Sequence, residues 1–309
     1  MPRSDAALIV DVAINGVRTK AHNPHVPETH SEIVAEAGRL FEAGATMVHA
    51  HNNDHRIAGR AAADDYLMAW STIHSRYPDA LWYPTIAGSD TPLADLSHVA
   101  ILAREAGVRI GCVDPGPVIS GLHREDGTPG GRIYMNTADD IRSAFAYLAE
   151  YGLGVEIGIY EPGFLRTALA YHHSGKLPQG SIINLCFCGA RGMFDSEKAT
   201  LYGLPPTAAS FEAYYAMLED TNLPWKTSVW GEDIAETPIA ELTLERGGHL
   251  QIGLENHARS DSHRSNLDVF LAMRDLAGRH GRPVANSAEA IELLDLPSPV
   301  TASPLEESL

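Results

Sequence analysis

In Thr46-Met47-Val48-His49-Ala50-His51-Asn52-Asn53 a β-rich run ends in two histidines spaced i, i+2. Successive side chains of a strand point to opposite faces, so this spacing puts both imidazoles on the same side. Two imidazoles at a strand end can share one divalent cation, but an open catalytic zinc site takes three protein ligands. The third follows from the order of elements along the chain.

Residues 7–15 form a short, apolar, β-branched run that predicts a buried strand, and a proline-containing loop at 23–27 follows it. Thr29 is the predicted N-cap of a helix that runs to Phe41, presents Ile33, Ala37, Leu40 and Phe41 on one side, and stops at Gly44. After the histidine strand come a helix at 62–77, a strand at 81–88, a helix at 93–106 and a strand at 109–114. A Gly/Pro-rich insertion then runs to about residue 132, long enough to be functional. Beyond it the pattern predicts a helix at 139–151, a strand at 155–160, a helix at 164–173 and a strand at 182–188. A second Gly/Pro-rich insertion leads to a helix at 208–218, a strand at 226–230, a helix at 239–246, a strand at 250–255 and a helix at 266–281, with a short helical tail at 288–294.

Roughly eight strand-helix units with no break in composition predict a single (β/α)8 TIM barrel over residues 1–309, with a short extra helix at its C-terminus. Chemistry in such a barrel gathers at the C-terminal strand ends, and the eighth strand closes beside the first, next to the second. Glu255, at the end of the eighth strand, is therefore the expected third ligand, completing a His2Glu set with His49 and His51. The bland alternative is that the histidines only cap the core through hydrogen bonds.

Composition narrows the partners. Of 309 residues, 44% are hydrophobic, enough for a large core, and the formal net charge is −17 with no Lys/Arg-rich run. Nucleic acid and anionic membrane are thereby disfavoured. No apolar run approaches the ~18 residues of a membrane span, and the N-terminus passes straight into the first strand. Cys112, Cys186 and Cys188 are too few for a disulfide framework, and a cytoplasmic location is expected.

Several motifs together resemble the β-keto acid cleavage enzyme family. They are Phe41-Glu42-Ala43-Gly44-Ala45 leading to Val48-His49-Ala50-His51; Gly247-Gly248-His249 leading to Gly253-Leu254-Glu255-Asn256; Ser265-Asn266; and Gly281-Arg282-Pro283 before the closing helix. The resemblance spans nearly the whole chain. It implies a zinc-dependent TIM barrel, one Zn2+ per chain on His49, His51 and Glu255, that transfers an acyl fragment from a small β-keto acid to coenzyme A. Acetyl-CoA would be the co-substrate and acetoacetate a product. It also implies a homo-oligomer, a dimer or tetramer.

Departures from the family pattern fall on the proton-transfer groups. The family's general-base Asp is here Asn256, and an amide takes up no proton at neutral pH. Its Arg four residues before the metal Glu is Gln251. Its strand-five Glu aligns with Gly158, which leaves Glu156 and Glu161 as nearby carboxylates. A Thr aligns with Cys112, the following Asn with Asp114, a substrate-bonding Ser with Thr85, and a Glu that reads a substrate amine lies close to Arg18.

A relocated base must be a titratable group at a strand's C-terminal end, and Asp114, Glu161 and Glu232 meet that condition. Asp114 precedes Pro115-Gly116 and reads equally well as an Asx-turn residue, while Glu161 before Pro162-Gly163 reads as a helix cap. Arg18 and Arg191 are the arginines best placed to hold a substrate carboxylate. Arg18 in place of an acidic reader suggests a substrate with an anionic or neutral tail. Two other readings stay open: a zinc-dependent hydrolase or lyase that uses no CoA, and a metal-loaded barrel that binds a ligand after losing its base.

Other conspicuous features carry less weight. Cys186 and Cys188 read as strand packing, His172 and His173 as residues at a helix end, and His22, His25 and His30 as exposed loop histidines. Gly127 to Gly131 lacks the strand-before, helix-after context of a dinucleotide cradle.

Overall fold

The computed structural model describes residues 7–52, 54, 56–87, 92–259 and 263–298, without the side chains of 92–95. Asn53 of the histidine stretch and Gly88 at the end of the expected third strand lie outside these residues.

Four parallel strands come first: β1 (Val10–Ala13), β2 (Met47–Ala50), β3 (Leu81–Pro84) and β4 (Ile110–Val113). The first Gly/Pro-rich insertion carries an antiparallel hairpin, β5 (Pro117–Ser120) with β6 (Arg132–Met135). Four more parallel strands follow: β7 (Gly154–Ile159), β8 (Ser181–Cys188), β9 (Trp225–Trp230) and β10 (His249–Ile252). Hydrogen-bonded neighbours run β3-β2-β1-β10-β9-β8-β7-β4, so the sheet winds round until its two ends meet. Cys112 Sγ donates to Pro84 O across that seam at 3.5 Å. The result is a nearly closed (β/α)8 barrel, as the alternation of elements predicts.

The helices between strands are α1 (His30–Ala43), α2 (Gly59–Arg76), α3 (Pro92–Ala106), α4 (Ala138–Glu150), α5 (Pro162–His173), α6 (Ala208–Leu218), α7 (Ile239–Glu245) and α8 (Asn266–Arg279), with α9 (Ser287–Leu293) as the tail. Thr29 caps α1 as expected: its side chain accepts from the Glu32 amide while Glu32 reaches back to Thr29 N, and Gly44 ends the helix at φ +96°. Such a cap is worth about 1 kcal/mol, and the left-handed end is open to glycine at little cost. Ile33, Ala37 and Leu40 are buried and Phe41 packs at their margin. Between α2 and the barrel wall, Trp70 stacks on Trp82 with centroids 3.9 Å apart.

Two expectations need correction. The eighth strand ends at Ile252 and not at Glu255, because Gly253 turns the chain at φ +128°, where a Cβ would come within 2.3 Å of Ala13 O. Of the loop histidines only His25 is exposed: His22 is held at Thr19 and His30 sits 2.9 Å from Asp65.

Candidate metal centre and active-site cavity

β1 and β2 lie side by side with Ala13 opposite His49, and β10 pairs on the other side of β1. After the turn at Gly253, Glu255 N donates to Ala13 O at 3.1 Å, which brings the Glu255 carboxylate over the end of β1 toward β2. His51 Nε2 is 3.1 Å from Glu255 Oε1, and His49 Nε2 is 3.5 Å from Oε2. One ligand atom from each of the three residues lies within 4.8 Å of the others.

Each of the three candidate ligands is held from behind. His49 Nδ1 faces Tyr83 O at 3.2 Å, which makes Nδ1 the protonated nitrogen and leaves the Nε2 lone pair toward Glu255. Asn15 clamps the His51 backbone, accepting from its amide at 2.9 Å and donating to its carbonyl at 3.0 Å. Asn266 donates to Ile14 O and accepts from Leu254 N, fastening the Glu255 turn to β1. Gly16, at φ +57°, lies under Glu255, where a Cβ would fall 2.4 Å from Cγ. Asn15 and Gly16 did not stand out in the sequence; Asn266 did, as part of the Ser265-Asn266 motif.

These residues fit a divalent cation. Glu255 Oε2 is buried without a hydrogen-bond partner among the described residues, an expensive state for a carboxylate oxygen unless something else satisfies it. Burial alone would raise the Glu255 carboxyl, yet the His51 and His49 imidazoles, with Arg18 behind, hold it down at about 2. Burial in turn lowers His49, against the pull of Glu255, so its imidazole stays neutral and keeps a lone pair to give. Two imidazoles and one carboxylate form a recognised open zinc donor set.

The three candidate ligands sit in the wall of a cavity of about 160 Å³ at the C-terminal end of the strands. Thr85, Cys112, Asp114 and Gln251 line it with them, four of the residues singled out from sequence. Asp114 Oδ2 accepts from Tyr134 OH at 2.8 Å, and Asn136 Nδ2 donates to Asp114 O at 2.9 Å. Oδ1 lies over Gly158, where a Cβ would come within 2.3 Å of it. A carboxylate from the end of β4 thus occupies the space that a side chain on β7 would need. Burial, with the charge of Glu156, pushes the Asp114 carboxyl up to about 7. Burial likewise raises the Cys112 thiol well above its ordinary range, which keeps it protonated.

Other candidates stand elsewhere. The Arg18 guanidinium is buried and donates to Glu255 O at 3.0 Å and Met193 O at 2.6 Å; it braces the metal turn and does not line the cavity. Arg191 pairs with Asp195 at 2.9 Å, also off the cavity. Glu161 Oε1 accepts from Gly203 N, and Glu232 Oε1 from Ala190 N. Asn256 is buried with neither side-chain atom hydrogen-bonded among the described residues, facing a separate small cavity beside Glu232 and Asp233.

Beneath the cavity the barrel holds a polar cluster. Lys226 Nζ, fully buried, is 2.5 Å from Asp11 Oδ2, 3.2 Å from Glu156 Oε1 and 3.1 Å from Tyr83 OH. Burial alone would lower this ammonium, but Asp11 and Glu156 hold it above its ordinary range. Gln251 Nε2 donates to the same Asp11 oxygen and to Tyr83 OH. Gln251 on β10 and Lys226 on the neighbouring β9 therefore share the same two partners, Asp11 and Tyr83. A lone lysine inside the run Trp225–Trp230, otherwise free of charge, was the available signal, since a buried charge must be paired.

A (β/α)8 barrel with two histidines and one carboxylate converging at its C-terminal rim defines a class of scaffolds whose residues could hold a divalent metal. Within that class the chain belongs to the beta-keto acid cleavage enzyme family (BKACE), whose sequence profile matches residues 7–296. It is 26% identical over 298 residues to a 3-keto-5-aminohexanoate cleavage enzyme of Acetoanaerobium sticklandii, covering 94% of this chain and 98% of that protein. It is also 26% identical over 294 residues to a 3-oxoadipate:acetyl-CoA acetyltransferase of Cupriavidus necator, covering 94% and 95%. Among solved structures, the ternary complex of ObcA with a C4-CoA adduct and oxalate superposes with a TM-score of 0.63 at 14% identity, over 90% of this chain and 68% of that one. That likeness concerns the fold.

Proposed function

We propose that this protein is a zinc-dependent β-keto acid cleavage enzyme that exchanges acyl groups between a small β-keto acid and acetyl-CoA, yielding acetoacetate and a new acyl-CoA. The observation that carries the reading is the convergence of His49, His51 and Glu255 in the wall of one cavity that also holds the Asp114 carboxylate. The metal, when bound, supplies a Lewis acid beside the substrate's keto oxygen. The relatives named above act on β-keto acids, and one of them uses acetyl-CoA.

The chain's own residues then divide the work. Asp114 Oδ1 takes the proton from the carbon between the two carbonyl groups; a base titrating near 7 is ionised in a large fraction of molecules at neutral pH and still basic enough for the task. Tyr134 OH and Asn136 fix its position. The carbanion so formed displaces CoA thiolate from the acetyl thioester, forming one C–C bond. Thiolate addition to the original keto carbon breaks the other, and the proton returns to the departing acetoacetate carbon. Thr85 lines the cavity with a hydrogen-bonding hydroxyl, Gln251 lines it with an amide already engaged by Asp11, Tyr83 and Asn184, and Val17, Ile86, Met193 and Trp230 give it an apolar side suited to a neutral tail.

The test is a panel of β-keto acids with acetyl-CoA, following acetoacetate and free thiol separately. Acetoacetate that appears only with both substrates supports the reading. Thiol release from acetyl-CoA without any keto acid requirement would replace it with a hydrolase.

A further inference from the structure

The hairpin does more than carry Tyr134 to Asp114. With the segment Thr200 to Tyr202 it walls a surface groove of about 700 Å³ that is separate from the cavity beside His49, His51 and Glu255. The two spaces are neighbours: Tyr160 lines the cavity, Tyr202 lines the groove, and their rings meet edge to face at 5.5 Å. On β6, Tyr134 turns to Asp114 while Ile133 and Arg132 line the groove.

The groove is basic and apolar in a chain whose net charge is −17. His123, Arg124 and Arg132 line it together with Ile119, Ile133 and Leu201, all three exposed hydrophobics. Neither the Arg124 nor the Arg132 guanidinium has an ion pair or hydrogen bond among the described residues. Its one lining carboxylate, Glu161, is engaged by Gly203 N. The loop is also tied down: Thr200 Oγ1 donates to Gly130 O at 2.8 Å and accepts from Gly130 N, and His123 N donates to Lys198 O at 2.7 Å. A fixed wall with two unpaired guanidiniums over an apolar floor is complementary to a ligand that joins phosphates to a flat apolar group.

We propose that this groove binds the nucleotide end of the CoA thioester, with Arg124 and Arg132 on its phosphates and the apolar residues against the adenine, so that the thioester arm passes the Tyr160–Tyr202 pair into the metal cavity. The assignment rests on the use of a CoA thioester proposed above. It gives a role to the Gly127 to Gly131 stretch, which shapes the loop carrying Arg124.

The test is calorimetric titration of CoA, and of dephospho-CoA, into the full chain and into an Arg124→Glu/Arg132→Glu variant, with zinc content and sedimentation velocity measured on both. Both arginines are exposed, so the variant should fold. Each lost arginine-phosphate pair should weaken CoA binding roughly tenfold, and dephospho-CoA should bind the wild type more weakly than CoA. Zinc content should be unchanged. Equal CoA affinity in wild type and variant overturns the groove assignment while leaving the reaction intact. A changed oligomeric state with unchanged CoA affinity overturns it in favour of an interface between copies of the chain. No CoA binding by the wild type overturns the CoA-dependent reaction itself, and the groove with it.

Discussion

Replacing Asp114 with Asn separates what this carboxylate does for the reaction from what it does to the fold. Asn keeps an oxygen to accept from Tyr134 OH and fits the same space over Gly158. In the native protein, burial and Glu156 raise the carboxyl from 3.8 to about 7. The folded state therefore holds the proton more tightly than the unfolded chain. Stability is greatest below the unfolded value of about 4, falls as pH rises through the window, and levels off above about 7. At roughly 1.36 kcal/mol per pH unit the full penalty is about 4 kcal/mol. Asn carries no such penalty, so urea unfolding should show Asp114→Asn gaining on the wild type from pH 4 upward, by up to about 4 kcal/mol at pH 8. Activity should move the opposite way, with kcat/KM falling about 10²- to 10⁴-fold as for loss of a general base, and the wild-type rise of rate through pH 7 should vanish. A variant that keeps its activity, or whose stability difference from the wild type does not change with pH, refutes this role for Asp114.

Three further outcomes follow from the same geometry. Lys226→Met leaves Asp11 and Glu156 buried without their cation, and denaturant unfolding should show a loss of about 3–5 kcal/mol. Asn256→Asp, which puts back the acid usual in the family, places a buried charge beside Glu232 and Asp233 and off the metal cavity; turnover should not rise, thermal stability should drop, and a large gain in turnover would return the base to 256. Asn15→Ala removes the clamp on the His51 backbone, so zinc affinity measured by chelator competition should fall about 10- to 100-fold.

Much of this arrangement is legible before any coordinates. The His49/His51 pair follows from the two-residue period of a strand, and Glu255 from the adjacency of first and eighth strands in a closed barrel. What pattern alone does not reveal is the direction in which a long side chain points. Arg18 looks like a free reader in a loop, yet its guanidinium turns inward to two backbone carbonyls. Asn256 directly follows Glu255, yet it lines a different, smaller cavity from the one Glu255 faces. The hairpin leaves little trace in the sequence because β5 and β6 are four residues each, separated by a Gly/Pro-rich loop that hides their alternation. Asp11, Tyr83 and Lys226 form one cluster only after three separate strands are brought round the barrel.

The most direct test of the central claim is elemental analysis of the purified protein beside His49→Ala/His51→Ala, with Glu255→Gln as a milder companion. One zinc per chain in the wild type, lost from the double variant and reduced in Glu255→Gln, is the expected result. Wild-type protein without stoichiometric metal, or metal retained by a folded double variant, contradicts the account and leaves the barrel without the proposed chemistry.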